Sequence, residues 1–303
     1  MNLHDLQRRY ASHPQIDTAA KWVKAHNSGH LLLTGLHASA RSLALTGIIG
    51  QSSTTSLLVV ADDADSAAYL THDMQASLTV DNVLFFPSAY RRHRRRQEAD
   101  EANELARTEV LNQLANEAGR HIVITYPEAL VEPVVDSRHL KSNTLRITRQ
   151  EHLTIDDLEQ MLIDMHFNRV DFVYEPGQYA VRGGIVDIFS YSADDPYRLD
   201  FFGDEVETIR TFDIESQLSK QDVDMLHVLP DFDDDIAARH ALLIDYMDSH
   251  CLMAFTDYRF VCGRMSQLTS DMSATHTKTP QPTPVERLEQ AAATMTTLEM
   301  TSR

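Results

Sequence analysis

The sequence predicts an α/β protein: a P-loop-type parallel-sheet domain, an inserted small α+β antiparallel domain, and a smaller α/β return segment. Three observations carry this. Residues 1–127 alternate strand-length apolar runs with helical patterns, residues 170–218 read almost wholly as β, and mixed patterning resumes beyond 218. The expected divisions are therefore 1–127, 128–217 and 218–303. A length of 303 residues suits two or three domains.

In the first segment the strand candidates are 30–34 (HLLLT), 56–60 (SLLVV), 82–86 (NVLFF) and 121–125 (HIVIT). Their near-continuous apolar character is that of parallel strands buried on both faces. Helices are expected between them at 40–51, 63–77 and 100–117, which gives a doubly wound order. In the second segment Leu158, Met161, Leu162 and Met165 mark one face of a helix over 155–166, opened by Thr154 with Asp157 three residues on. The β-rich text that follows is cut by turn signals at Pro176-Gly177, Gly183-Gly184, Asp194-Asp195-Pro196 and Gly203-Asp204. It reads as an antiparallel meander packed on that helix. Beyond 218, strand-like text lies around 241–256, residues 273–284 read as a proline-rich linker, and 285–300 as a closing helix.

Composition excludes several functions. The chain is 43% hydrophobic and 24% charged, with a net charge of −18. Such an acidic surface repels phosphates, so broad nonspecific nucleic-acid binding is not expected. No apolar run approaches the roughly 20 residues of a membrane span, and the first residues lack an apolar signal core. The two cysteines, Cys251 and Cys262, form neither a disulfide framework nor a zinc site, so a cytoplasmic location is expected.

The first strand–helix junction matches a P-loop in register. Gly35 and Ser42 stand where that motif places its first glycine and its hydroxyl, but Ala40 replaces the second glycine and Arg41 the lysine. The missing glycine removes backbone freedom needed to wrap phosphates, and a planar guanidinium is a poor substitute for a slim ammonium. Nucleotide hydrolysis is not expected here. No metal site, HExxH pair or nucleophile elbow is present, so no catalytic residue is assigned. The carboxylates Asp194-Asp195 and Asp233–Asp235 read as solvated turns. Arg91, Arg92, Arg94, Arg95 and Arg96 form a basic run followed by an acidic stretch. It reads as a self-neutralised loop, or else as a contact for DNA or an acidic partner.

Residues 167–217 carry a family resemblance. The ordered elements are Arg169-x-Asp171, Glu175-x-Gly177-x-Tyr179, Arg182-Gly183-Gly184, Asp187-x-Phe189, Tyr197-Arg198-x-Asp200-Phe201-Phe202, Asp204-Glu205 and Phe212-Asp213. This stretch resembles the bacterial transcription-repair coupling factors (Mfd) and, more loosely, domain 2 of the excision-repair protein UvrB. PSAYRR at 87–92, RTEVLNQL at 107–114 and VITYPEAL at 123–130 fit the same family. Arg41, in place of a Walker lysine, favours Mfd over UvrB.

The resemblance implies a helicase-like domain 1a, an inserted domain 2 that binds UvrA, and a domain 1b. It places UvrA contacts at Arg169, Arg182, Arg198, Asp200 and Phe189, while Ala180 stands where UvrB has a further arginine. Internal pairing with Asp171, Asp187 or Asp200 is the alternative for these arginines. The resemblance further implies a non-catalytic module, with ATP, magnesium, RNA polymerase and DNA engaged only by the rest of a longer translocase. The competing expectation is a UvrB-like or helicase fragment with residual nucleotide or DNA binding.

Overall fold

A computed structural model describes residues 3–51, 56–78, 83–93, 96–99, 101–117, 119–232, 238–273 and 282–302. The chain forms two compact units, Met1–Val134 with His240–Arg303, and Val135–Arg239. The second is an insertion in the first.

The first unit opens with two helices for which the sequence carried no assignment, α1 (Leu3–Ala11) and α2 (Pro14–Ala25). Proline at the first turn of α2 suits its start, because its missing N–H would have been unsatisfied there. There follow β1 (Gly29–Leu33), α3 (Ala40–Ile49), β2 (Leu57–Val60), α4 (Ala64–Ser77) and β3 (Val83–Phe85). The hairpin β4 (Tyr90–His93) and β5 (Arg96–Ala99) leads to α5 (Glu101–Asn116), β6 (Ile122–Thr125) and the short α6 (Pro127–Leu130).

The inserted unit takes over through β7 (Val134–Val135), α7 (Ser137–Asn143), β8 (Leu145–Thr148), α8 (Ile155–Asp164) and β9 (Asn168–Arg169). Its meander is β10 (Gln178–Arg182), β11 (Ile185–Phe189), β12 (Tyr197–Phe202), β13 (Glu205–Phe212), β14 (Ser219–Val223) and β15 (Met225–Val228). The chain then returns through β16 (Arg239–Ala241), a 3-10 turn at Leu243–Tyr246, β17 (Leu252–Phe255), α9 (Tyr258–Ser273), α10 (Pro284–Thr294) and β18 (Thr296–Met300).

The main sheet is parallel, in the order β1-β18-β17-β2-β6-β3. Strands β2, β6 and β17 are buried along their whole length, as four-residue runs such as LLVV require. Strand β1 departs from the expected two-sided burial. It is the sheet edge, and Leu32 is half exposed. The stretch 285–300 is not one helix. It breaks at Met295, and TTLEM joins the sheet as β18, between β1 and β17. Two β-branched threonines and near-continuous burial fit that inner parallel strand. Likewise, the strand-like 241–256 text is strand only at its two ends, Ala241 closing β16 and Leu252–Phe255 forming β17; Leu243–Tyr246 is a 3-10 turn.

In the inserted unit the six-stranded sheet runs β14-β13-β12-β11-β10-β9, antiparallel except for the β9–β10 pair. One face buries Tyr179, Val186, Ile188, Leu199, Val206 and Ile209 against Leu158 and Leu162 of α8. Thr154 caps α8, its hydroxyl accepting the Asp157 N–H at 3.1 Å. This unit extends beyond the expected 128–217 because β14 and β15 belong to it. Strand β14 completes the sheet, and β15 pairs with β8. Asp233–Asp235 and most of the 273–284 linker lie outside the described residues.

Candidate functional site

The face of this sheet turned away from α8 is polar, and the strand register explains which side chains meet on it. Asp187 lies opposite Arg198, Arg198 opposite Arg210, and Arg210 opposite Asp222. The next row holds Arg182, Ile185, Asp200 and Thr208. Residues directly opposite share a face, so two rows carrying charges of both signs run across this face, each spanning four strands.

Asp187 is the hub. It is 1% exposed, a charge embedded in the apolar strand Ile185–Phe189. Its Oδ1 accepts from Arg198 Nε at 2.7 Å and its Oδ2 from Arg198 Nη2 at 2.9 Å, a bidentate pair. Arg182 Nη2 also donates to Oδ2. One buried carboxylate thus meets two guanidinium groups, a positive excess local to this hub, on a face whose three arginines are otherwise matched by Asp187, Asp200 and Asp222.

The two arginines are not equivalent. Arg198 is 14% exposed, stacks 4.2 Å over the Phe212 ring, and also donates to the carbonyl and side chain of Gln217. Its hydrogen bonds to Asp187 raise its pKa further above the ordinary arginine value. Arg182 is 34% exposed, stands 4.8 Å over the half-exposed Phe172 ring, and donates to the Asp171 carbonyl at 3.0 Å. The surplus charge therefore reaches solvent at Arg182. On the adjoining row Asp200 accepts from Arg210 and, at 2.5 Å, from Thr208.

The structure brings together Arg182, Arg198 and Asp200, but not the other two residues expected beside them. Arg169 lies opposite Tyr179, on the helix side, and pairs with Glu159 at 2.6 Å. Tyr179 donates to the same Glu159 at 3.1 Å, and burial followed by that carboxylate raises its pKa. Phe189 is buried with Val173, Ala180 and Phe212 in a small cluster flooring the polar face. Of the anticipated internal partners, Asp187 serves Arg182 and Arg198, Asp200 serves Arg210, and Asp171 contributes only its carbonyl. Phe202 is a further residue of this face, one that residue type alone does not mark as a site residue. It follows Arg198 and Asp200 on the same face of β12 and is 79% exposed.

The P-loop relic is closed on itself. Gly35 and Ala38 both adopt positive φ, 80° and 45°. The amides of Ala40 and Arg41 donate to the carbonyls of His37 and Ala38, at 3.0 and 3.1 Å. Ser42 is buried, its hydroxyl 2.8 Å from the Ser39 carbonyl and 3.2 Å from an Asp73 carboxylate oxygen. Arg41 Nε is buried with no hydrogen-bond partner among the described residues. A phosphate cradle needs those amides turned outward. Here two serve the loop, and a carboxylate stands at the hydroxyl.

The basic run is a hairpin rather than the expected loop. Arg91 and Arg92 lie in β4 opposite Glu98 and Gln97, Arg96 lies in β5 opposite His93, and Arg94 and Arg95 are outside the described residues. Its root is fixed by a buried network that unites the three outlying family-like stretches. Glu132 accepts from Arg107 at 3.0 Å and from the Ala89 N–H at 2.8 Å. Arg107 also donates to the Pro87 carbonyl and stacks 4.3 Å over Phe86. The Tyr126 hydroxyl accepts the Ser88 N–H, and burial raises its pKa. Among the described residues no group of acidic, histidine or cysteine side chains is arranged to hold a metal, and no helix is long and apolar enough to cross a membrane.

Residues 145–233 match the family model described as the UvrB interaction domain. The transcription-repair-coupling factor of Haemophilus influenzae is 30% identical over 212 residues, covering 69% of this chain and 18% of that protein. The Escherichia coli factor is 34% identical over 111 residues, 37% of this chain and 10% of the relative. UvrABC system protein B of Lactiplantibacillus plantarum is 32% identical over 117 residues, 38% of this chain and 16% of the relative. The chain thus spans less than a fifth of the length of these relatives. With the parallel-sheet unit and its antiparallel insertion in place, the chain is homologous to the UvrB-like module of the transcription-repair coupling factors.

Proposed function

We propose that this chain is a docking module of transcription-coupled repair that recruits UvrA through the polar face of its inserted unit, without chemistry of its own. The observation that carries the reading is the solvent-reaching guanidinium of Arg182, held on a buried carboxylate that Arg198 already pairs, inside the segment matching the UvrB interaction domain. On a chain of net charge −18, such a focus selects a carboxylate-bearing partner. Contacts with RNA polymerase and DNA, and the use of ATP and magnesium, would belong to the remainder of a longer protein in the cytoplasm.

Calorimetric titration with UvrA tests this. Saturable binding is expected, with Arg182→Ala weakening it at least tenfold, a typical cost for a charged contact at an interface. Binding that survives both Arg182→Ala and Arg198→Ala unchanged would place the interface elsewhere. The self-closed loop at Gly35–Ser42 supports the non-catalytic half of the reading. Accordingly, ATP with magnesium should leave the melting temperature unchanged, and saturable stabilisation would revive the helicase-fragment alternative.

A further inference from the structure

Phe202 presents an apolar group where nothing in the fold asks for one. It is 79% exposed at the tip of the β12–β13 hairpin, beyond Arg198 and Asp200 on the polar face. Leu199 and Phe201 point the other way, into the α8 core, so alternation fixes the side on which Phe202 stands.

The tip is also firmly held. Gly203 turns the chain at φ 61°, and the backbone beyond it bonds to the segment before α8. Leu153 N–H donates to the Asp204 carbonyl at 2.9 Å, Gln150 N–H to Val206 at 2.8 Å, and Val206 N–H to Glu151 at 3.1 Å. The neighbouring strand closes in from the other side, with Phe201 N–H donating to the Gly184 carbonyl at 2.8 Å. Gly184 is two residues past Arg182, which stands over the half-exposed Phe172. An exposed aromatic ring thus projects from a firmly bonded tip, on the sheet face that also carries Arg182. Rigid placement lowers the entropy lost on binding, and aromatic side chains with arginine are the residues that carry most interface energy.

We infer that Phe202 is an apolar anchor of the docking face, and that the matching surface on UvrA is an apolar pocket bordered by a carboxylate that meets Arg182. The inference rests on the proposed function and adds to it a residue outside the arginine rows. Charge complementarity sets the polar part of the match, and the exposed ring sets the rest.

Titration of the full chain with UvrA, at low and high salt, separates the two claims. Phe202→Ser is expected to weaken binding about thirtyfold, as truncation of an aromatic hot spot does, by the same factor at both salt concentrations and without a change in melting temperature. The loss from Arg182→Ala should shrink as salt rises. Tyr69→Ser, which removes a ring 76% exposed in the other unit, is the control and should bind as wild type. If Phe202→Ser binds like wild type while Arg182→Ala is weakened, the anchor is wrong and the docking reading stands. An equal loss from Tyr69→Ser would also overturn the anchor. If the unmodified chain fails to bind UvrA, the docking reading falls and the anchor with it.

Discussion

Each unit contains a buried carboxylate tied to arginine, and the two are put to different uses. Glu132 meets the single guanidinium of Arg107 among the described residues, along with the Ala89 amide. Arg107 in turn also has Glu104 at 3.9 Å, and the network closes around the root of a hairpin. Asp187 meets two guanidinium groups, one enclosed and one partly in water. The first arrangement locks a loop. The second retains an unbalanced charge and aims it outward. Similar chemistry serves architecture or presentation according to how many cations share the anion.

Substitution can break that comparison. Asp187→Ala and Glu132→Ala should each cost about 3–5 kcal/mol in denaturant unfolding, because each strands an arginine that is at most slightly exposed. The two should differ in binding: the folded fraction of the Glu132 variant should keep its UvrA affinity, and that of the Asp187 variant should lose it. Equal effects on affinity would mean that the hub has no special role in presentation.

Next in size is Gly177→Ala, at about 1–3 kcal/mol. Gly177 has φ 82°, and a Cβ there would come within 2.2 Å of the Tyr191 hydroxyl. Melting of this variant should report on the inserted unit, and UvrA affinity measured well below the transition should hold. Arg182→Ala should cost less than 1 kcal/mol in stability, since Arg198 still satisfies Asp187 and Arg182 is partly solvated. Its effect belongs to binding.

The smallest effect concerns pH. The backbone N–H of Ser216 is the first of the groups that hold the Asp213 carboxyl below its ordinary value. A depressed carboxyl contributes stability above its unfolded pKa and loses it as pH falls through the folded one. Asp213→Asn should therefore flatten the acid limb of the stability curve below about pH 4 and leave neutral pH nearly unaltered. A steeper acid limb would contradict the assignment.

Much of this was readable before any coordinates. Runs such as LLVV and IVIT can satisfy their apolar character only between two layers, and they became central strands. The Thr154 cap of α8 was equally plain, and its apolar stripe is buried at Leu158 and Leu162, whereas Met161 is exposed. Strand β1 misled because apolar content does not reveal sheet order, and TTLEM was hidden because it directly follows a helix of compatible period. At the candidate site, residue type announced Arg182 and Arg198, but only register shows that Arg169 faces the helix side. Two signals were available and unused. Asp187 interrupts an apolar strand, and Arg107 sits three and four residues before the buried Val110 and Leu111, on the inner face of α5.

The place of β18 bears on how the chain comes to be folded. Among the described residues β1 pairs only with β18 in the main sheet, so residues 29–33 gain their strand partner from residues 296–300. During synthesis the ribosome must deliver the chain through residue 300 before that edge can dock. The inserted unit closes within residues 135–239 and can be complete while the first strand still waits. Short loops close faster than long ones, so the docking face should mature before the P-loop relic. Pulse-labelled nascent chains should show that order.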